Sequence, residues 1–163
     1  MSRIENSTEP TFNIVMVNPE IPHNTGAAGR LALATGARLH LIKPLGFCID
    51  EKAVKRAGLD YWEDVDLVEW ESLDEFLASV EDKSRMFLLT TKTKKAHWDA
   101  DFQKGDYFLF GRETRGLDEG FINEHKEQAI TLPMVEGSTR SLNLATAVAI
   151  VLYEGMRQIS VPG

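Results

Sequence analysis

The stretch FNIVMVNPEIPHNTGAAGR, Phe12 to Arg30, passes from an apolar, β-branched run through a loop stiffened by two prolines into a row of small residues. The run at 12–17 has the length and composition of a buried strand, and Asn18-Pro19 ends it. Ala27 to Thr35, with Leu31 and Leu33 among small residues, reads as a helix capped by Asn24 and closed by Gly36. Strand, loop and helix in that order are the first half of a parallel β-α-β unit, and the rest of the chain repeats the alternation.

Further strands are expected at 38–42, 67–70, 86–90, 107–110 and 129–132, the last ending at Pro133. Helices are expected at 51–56, at 73–80 behind a Ser72 cap, near 119–123 and, longest of all, at 142–158. Alternating strands and helices indicate an α/β fold, a single domain built on a mostly parallel sheet with flanking helices. Residues 1–11 are polar and read as a disordered lead, with the folded domain spanning 12–160. The last helix is apolar on nearly every side from Leu142 to Leu152, more than one small domain can cover, which points to a homodimer.

Composition narrows the functional classes. The chain has 163 residues, 43% of them hydrophobic and 26% charged, as in a globular domain. One cysteine, Cys48, excludes an intramolecular disulfide and fits a reducing, cytoplasmic setting. No signal peptide and no apolar run long enough to span a bilayer is seen. The four histidines lack metal-ligand spacing, so no metal is expected. Eighteen Lys and Arg against 25 Asp and Glu give a net charge of −7, which disfavours nucleic-acid binding by bulk attraction. The charges are uneven, however. Glu20 is the one acid between Asn18 and Pro44, facing Arg30, Arg38 and Lys43, and a second basic run holds Lys83, Arg85, Lys92, Lys94, Lys95 and His97.

In a parallel α/β sheet the informative loops follow the strands. The first, NPEIPHNTGAAGR, presents backbone N–H groups at a helix start and places Arg30 one turn in, a pattern that suits a phosphate but also an ordinary capped helix with a solvated arginine. The second, GRETRGL at 111–117, has Gly111 at a strand end, where a ligand can approach closely, with Glu113 and Arg115 available for loop geometry or substrate. The third, LPMVEGSTRSLNL at 132–144, sets polar residues against an apolar helix, and Ser141 also reads as a helix cap. The glycines do not form a dinucleotide-binding G-x-G-x-x-G, and there is neither a Walker loop nor a G-x-S-x-G elbow.

Taken together and in this order, the three loops resemble the three motifs of the SPOUT-class RNA methyltransferases. Residues 12–158 resemble in particular the minimal, single-domain TrmL (YibK-like) subfamily, through NPEIPHNTGAAGR, AGLDYW at 57–62, LFGRETRGL and RSLNLATAVAIVLYE. The resemblance implies a C-terminal trefoil knot and an obligate homodimer. It implies S-adenosyl-L-methionine as cofactor, contacted at Leu89, Gly111, Leu132 and Ser141, and transfer of its methyl group to the ribose 2′-oxygen at wobble position 34 of tRNA. The expected product is 2′-O-methylcytidine or a 2′-O-methylated modified uridine, with a leucine tRNA as expected substrate.

Arg30 carries over as the catalytic residue, with Asn143 and Glu113 in support. A guanidinium with a pKa above about 12 is a poor base, which favours Arg30 as a positioner of phosphate and hydroxyl. RNA contacts are expected at Lys55, Arg56, Lys92, Lys94 and Lys95. The anticodon loop is the expected partner, with its bases stacking on Tyr61 or Trp62 unless these pack in the core. Competing readings are a relative acting on rRNA or another tRNA position, a non-catalytic knotted RNA-binding dimer, and a phosphate-binding enzyme of small molecules.

Overall fold

The apolar run at the start becomes β1 (Asn13–Val17), the centre of a six-stranded sheet in which its five residues are all buried. A computed structural model of the chain describes residues 9–49, 60–138 and 141–160. Around β1 lie β2 (Arg38–Ile42), β3 (Leu67–Trp70), β4 (Met86–Leu89), β5 (Tyr107–Phe110) and β6 (Ala129–Ile130), in the order β3-β2-β1-β5-β4-β6. All five pairings are parallel. Four α-helices are described: α1 (Pro22–Thr35), α2 (Leu73–Ser79), α3 (Glu119–Glu124) and α4 (Leu144–Ser160). The helix expected at 51–56 lies outside the described residues.

Two-residue periodicity divides the sheet between two cores. Ile14 and Met16 join Phe108, Phe110, Ala28, Ala32, Val148 and Leu152 beneath α1 and α4. Val15 and Val17 point the other way, to Phe76, Leu88, Leu109 and Phe121 beneath α2 and α3. The close approach of α4 to the sheet depends on Gly155, where an added Cβ would lie 2.9 Å from the ring of Phe12.

The element ends differ from expectation in instructive ways. Helix α1 begins at Pro22, a turn and more before Ala27, with Ile21 rather than Asn24 as N-cap. Proline presets the first helical φ and has no N–H to satisfy, and the N–H of Asn24 bonds to the Ile21 carbonyl. Its C-terminus is as expected: Gly36 adopts φ 75° in the left-handed region. Strand β6 stops at Ile130 because Thr131 leaves β4 to exchange hydrogen bonds with Lys95 and His97. Ser72 caps α2 by accepting from the N–H of Glu75.

His40, in the middle of β2, is structural. Its Nε2 lies 2.8 Å from Asn13 Oδ1 and its Nδ1 accepts from Trp70 Nε1 at 3.0 Å, while Asn13 donates onward to the carbonyl of Gly105. Burial, aided by the neighbouring Arg38 charge, brings its pKa down to about 3. The neutral imidazole matches both partners, with one nitrogen donating and the other accepting.

Helix α4 buries Val148, Val151, Leu152 and Gly155 against the sheet and leaves Ile150 and Tyr153 exposed, at 36% and 51%. Its apolar character on several sides is thus used by one chain on one side only. At the other end of the chain Pro10 is buried, and Thr11 is tied to the end of α1 through bonds to Gly36 and Thr35. No described helix is long and apolar enough to cross a membrane.

Candidate functional site

Strands β4, β5 and β6 are neighbours, so the segments leaving their C-terminal ends converge. A cavity of about 520 Å³ opens there, within the size range of small-molecule sites. Apolar walls come from Leu89, Phe110, Leu117, Ile122, Leu132 and Leu144, and polar groups from Asn24, Thr90, Glu113, Thr131, Ser141 and Asn143. Leu89, Gly111, Leu132 and Ser141, the four residues expected from sequence to meet a cofactor, all line this one space, as do Glu113 and Asn143.

The loop after β5 doubles back tightly. Arg112 and Gly116 form an antiparallel bridge, closed by a 2.8 Å hydrogen bond from the Gly116 N–H to the Arg112 carbonyl. A Cβ on Gly111 would lie 2.0 Å from the Gly116 carbonyl carbon and 2.1 Å from the Leu117 nitrogen, so the loop can fold over the strand end only if this residue is glycine.

Glu113 then joins this loop to the first one. One carboxylate oxygen accepts from the N–H of Glu20, and the other from the N–H of Ile21, each at 2.8 Å, the latter also receiving the Asn24 amide at 3.1 Å. In return, Glu20 accepts from the N–H and the hydroxyl of Thr114, at 3.0 and 2.7 Å. Those two donors, with the Arg112 and Arg115 charges adding a smaller effect, hold the Glu20 carboxyl below its usual pKa against the opposing effect of desolvation. Two loops more than 90 residues apart are thus clasped by reciprocal carboxylate bonds.

The third loop joins at Asn24, which is buried. Its Oδ1 accepts from Asn143 Nδ2 at 3.2 Å, and Asn143 Oδ1 accepts the N–H of Thr146, capping α4. Glu113, Asn24 and Asn143 therefore form one chain of bonds through all three motif loops. Asn24, read from sequence as a helix cap, is the hub. Glu20 is marked in the sequence only as the lone acid of a basic segment, between two prolines, and Thr114 carries no signal of its own.

Arg30 stands apart. It is exposed on α1, its guanidinium 5.8 Å from the Tyr61 ring centre, and it does not line the cavity of its own chain. Tyr61 is fixed by a hydrogen bond from its hydroxyl to the Gly26 carbonyl at 3.0 Å, and Trp62 packs on Gly29. Both rings are partly buried against α1. Lys92 lines the cavity and pairs with Glu119. Lys94 and Lys95 are exposed beside it, whereas Lys55 and Arg56 lie outside the described residues. Among the described residues no group of three or more His, Cys, Asp or Glu is placed to hold a metal ion.

Residues 11–153 match the model of the SpoU rRNA Methylase family. The chain belongs to this family. Among its relatives, a protein of Escherichia coli K12 named tRNA (cytidine(34)-2′-O)-methyltransferase is 47% identical over 153 residues, covering 93% of this chain and 96% of the relative. A Burkholderia pseudomallei protein of the same name is 47% identical over 154 residues, covering 93% and 98%.

Solved structures agree. One described as giving structural insights into 2-OH methylation of C/U34 on tRNA superposes with a TM-score of 0.84 at 42% identity, covering 93% of this chain and 97% of that one. The SpoU methyltransferase AviRb of Streptomyces viridochromogenes, in complex with AdoMet, superposes with a TM-score of 0.78 at 27% identity, over 95% of this chain and 60% of its own. The parallel sheet and the three loops are therefore those of a SpoU-family RNA methyltransferase.

Proposed function

We propose that this SpoU-family chain methylates the 2′-oxygen of the wobble nucleotide of tRNA, cytidine 34 or a modified uridine 34, with S-adenosylmethionine as methyl donor. The observation that carries this reading is the single cavity formed by the three motif loops, in a chain 47% identical to a relative named for that reaction. The residues present fit the cofactor. Apolar side chains at Leu89, Leu117, Leu132 and Leu144 suit a flat base, and Thr90, Thr131, Ser141 and Asn143 bring polar groups suited to a ribose and an amino acid moiety.

The cofactor supplies a methyl group already activated on a sulfonium. What the chain must add is orientation of the ribose hydroxyl and an outlet for its proton. Glu113 holds the loops in register through its bonds to Glu20, Ile21 and Asn24, and Asn143 fixes the start of α4 against the same hub. Arg30, permanently cationic, acts as a positioner of phosphate and hydroxyl. Since it is exposed and absent from its own cavity, it reaches a reaction centre in a homodimer that sets α1 of one copy against the cavity of the other. The uncovered Ile150 and Tyr153 on α4 are consistent with such an assembly.

The implied trefoil threading belongs where the 111–117 loop meets the segment leading into α4. RNA is met at Lys92, Lys94 and Lys95, with Lys55 and Arg56 added, and the work is done in the cytoplasm. Incubation with radiolabelled S-adenosylmethionine and tRNA lacking wobble methylation, followed by nucleoside analysis, tests the reading. Label in 2′-O-methylcytidine or a 2′-O-methyluridine derivative at position 34 is the expected result. Label in rRNA alone would move the target and keep the chemistry.

A further inference from the structure

A second depression, of about 380 Å³, lies on the far side of the 111–117 loop from the cofactor cavity. Val17, Leu73, Leu117 and Phe121 make its apolar part, and Lys92, Arg112 and Arg115 bring positive charge to it. Those three cations, with Gly116 and Leu117, line the first cavity as well, so a single loop divides the two spaces.

The cations differ in how they are engaged. Lys92 is paired with Glu119. Among the described residues Arg112 and Arg115 make no side-chain hydrogen bond and no ion pair, although four carboxylates are close by. Each of those carboxylates is already committed: Glu20 to Thr114, Glu113 to the first loop, Asp118 to the N–H of Phe121 and Glu119 to Lys92. Glu20 feels the two arginines only as a lesser influence behind its hydrogen bonds. Two guanidinium forks, Arg112 partly exposed and Arg115 exposed, are left open at the lip between a cofactor cavity and an apolar-walled depression.

We propose that Arg112 and Arg115 bind a phosphodiester of the RNA strand at this second depression, next to the nucleotide whose ribose is methylated. The proposal rests on the RNA-methyltransferase reading above. A ribose offered to the first cavity carries a phosphodiester on each side, and the neighbouring depression is one loop away. A planar fork matches two phosphate oxygens, and Gly116, at φ 70°, gives the loop the turn that brings both arginines to the same lip.

The test uses the full chain, wild type and the double variant R112A/R115A, with unmodified tRNA, measuring binding across a salt series beside S-adenosylmethionine affinity by calorimetry. Each single-strand phosphate neutralised contributes about 0.7 to the slope of log K against log salt, so the double variant, which releases one phosphodiester, is expected to lose about 0.7. RNA binding at fixed low salt should weaken by about tenfold per arginine, a larger factor than any loss of cofactor affinity, which is measured because both arginines also edge the first cavity. The pair R112K/R115K, which keeps charge and loses the fork, should keep the slope and weaken binding several-fold, and it provides the readout if the alanine pair does not fold. An unchanged slope in the alanine pair, or a loss of cofactor affinity matching the loss of RNA affinity, overturns the proposal. Methyl transfer by the wild-type preparation is scored separately: transfer to tRNA with an unchanged slope sinks the phosphate site alone. Transfer only to rRNA sinks the wobble assignment, and the slope is then read on that RNA.

Discussion

Replacing Glu113 by glutamine changes one atom and removes a charge, and the structure gives the size of the effect. The carboxylate accepts the N–H groups of Glu20 and Ile21 at 2.8 Å on separate oxygens, with the Asn24 amide at 3.1 Å on the second. A glutamine has one acceptor oxygen, so its NH2 group must face either the Glu20 N–H alone or the Ile21 and Asn24 donors. At least one charge-assisted bond is lost, worth roughly 1.5–3 kcal/mol, and partial solvent access brings the net cost toward about 2 kcal/mol. If the loops open only locally, that energy is drawn from cofactor binding, and a loss of about 2 kcal/mol is about a thirtyfold rise in the S-adenosylmethionine dissociation constant. If the clasp contributes to global stability, Tm falls by about 4–8 °C for a chain of this size. Calorimetry with S-adenosylhomocysteine and a thermal melt separate the two. A variant that binds cofactor and melts like wild type while turnover collapses would refute the clasp and make Glu113 a participant in proton transfer.

Gly111→Ala puts a methyl group 2.0 Å from backbone atoms that cannot swing aside, so cofactor binding measured by calorimetry should be lost and stability should drop by at least about 1–3 kcal/mol. Arg30→Ala should bind cofactor as wild type does, because Arg30 does not line the cavity, while single-turnover methyl transfer to tRNA falls by about a hundredfold or more. His40 makes stability depend on pH. Its folded pKa, about 3, is below the unfolded value near 6.5, so protons bind the unfolded chain preferentially between those limits. Stability is fully present above about pH 6.5 and falls by roughly 1.4 kcal/mol per pH unit below it, about 2 kcal/mol by pH 5. Urea unfolding at pH 7 and pH 5 measures this, and His40→Asn should flatten that part of the pH profile.

Local signals carried most of the fold. The run at 12–17, apolar but for Asn13, announced a strand buried on both faces, and Gly36 and Ser72 marked helix ends where they stand. Where a boundary depended on a partner distant in sequence, the local signal misled. Asn24 has the chemistry of an N-cap, but Glu113, 89 residues away, draws it into the interior, and the helix starts earlier at Pro22.

The site divides along the same line. Leu89, Gly111, Leu132 and Ser141 came from the resemblance to the RNA methyltransferases, and the parallel sheet accounts for their meeting in one cavity, because it brings the ends of adjacent strands together. The bonds among Glu20, Glu113, Asn24, Thr114 and Asn143 were not legible, because hydrogen bonding across such separations leaves no periodicity in the chain. Arg30 is the sharpest instance of a local motif and a tertiary position disagreeing. Its motif put it beside the chemistry, while the fold of one chain points it to solvent over Tyr61. On the proposed role of Arg30 as a positioner, a residue that its own chain does not bring to its own cavity needs a second chain to complete the site, and the proposed dimer would be a catalytic requirement as well as a cover for an apolar helix. Mixing an Arg30→Ala chain with a Gly111→Ala chain should therefore restore activity in the mixed dimer, one of whose two sites then holds an intact cavity and an intact arginine. No recovery, with mixed dimers shown to form, would place both residues in the site of a single chain.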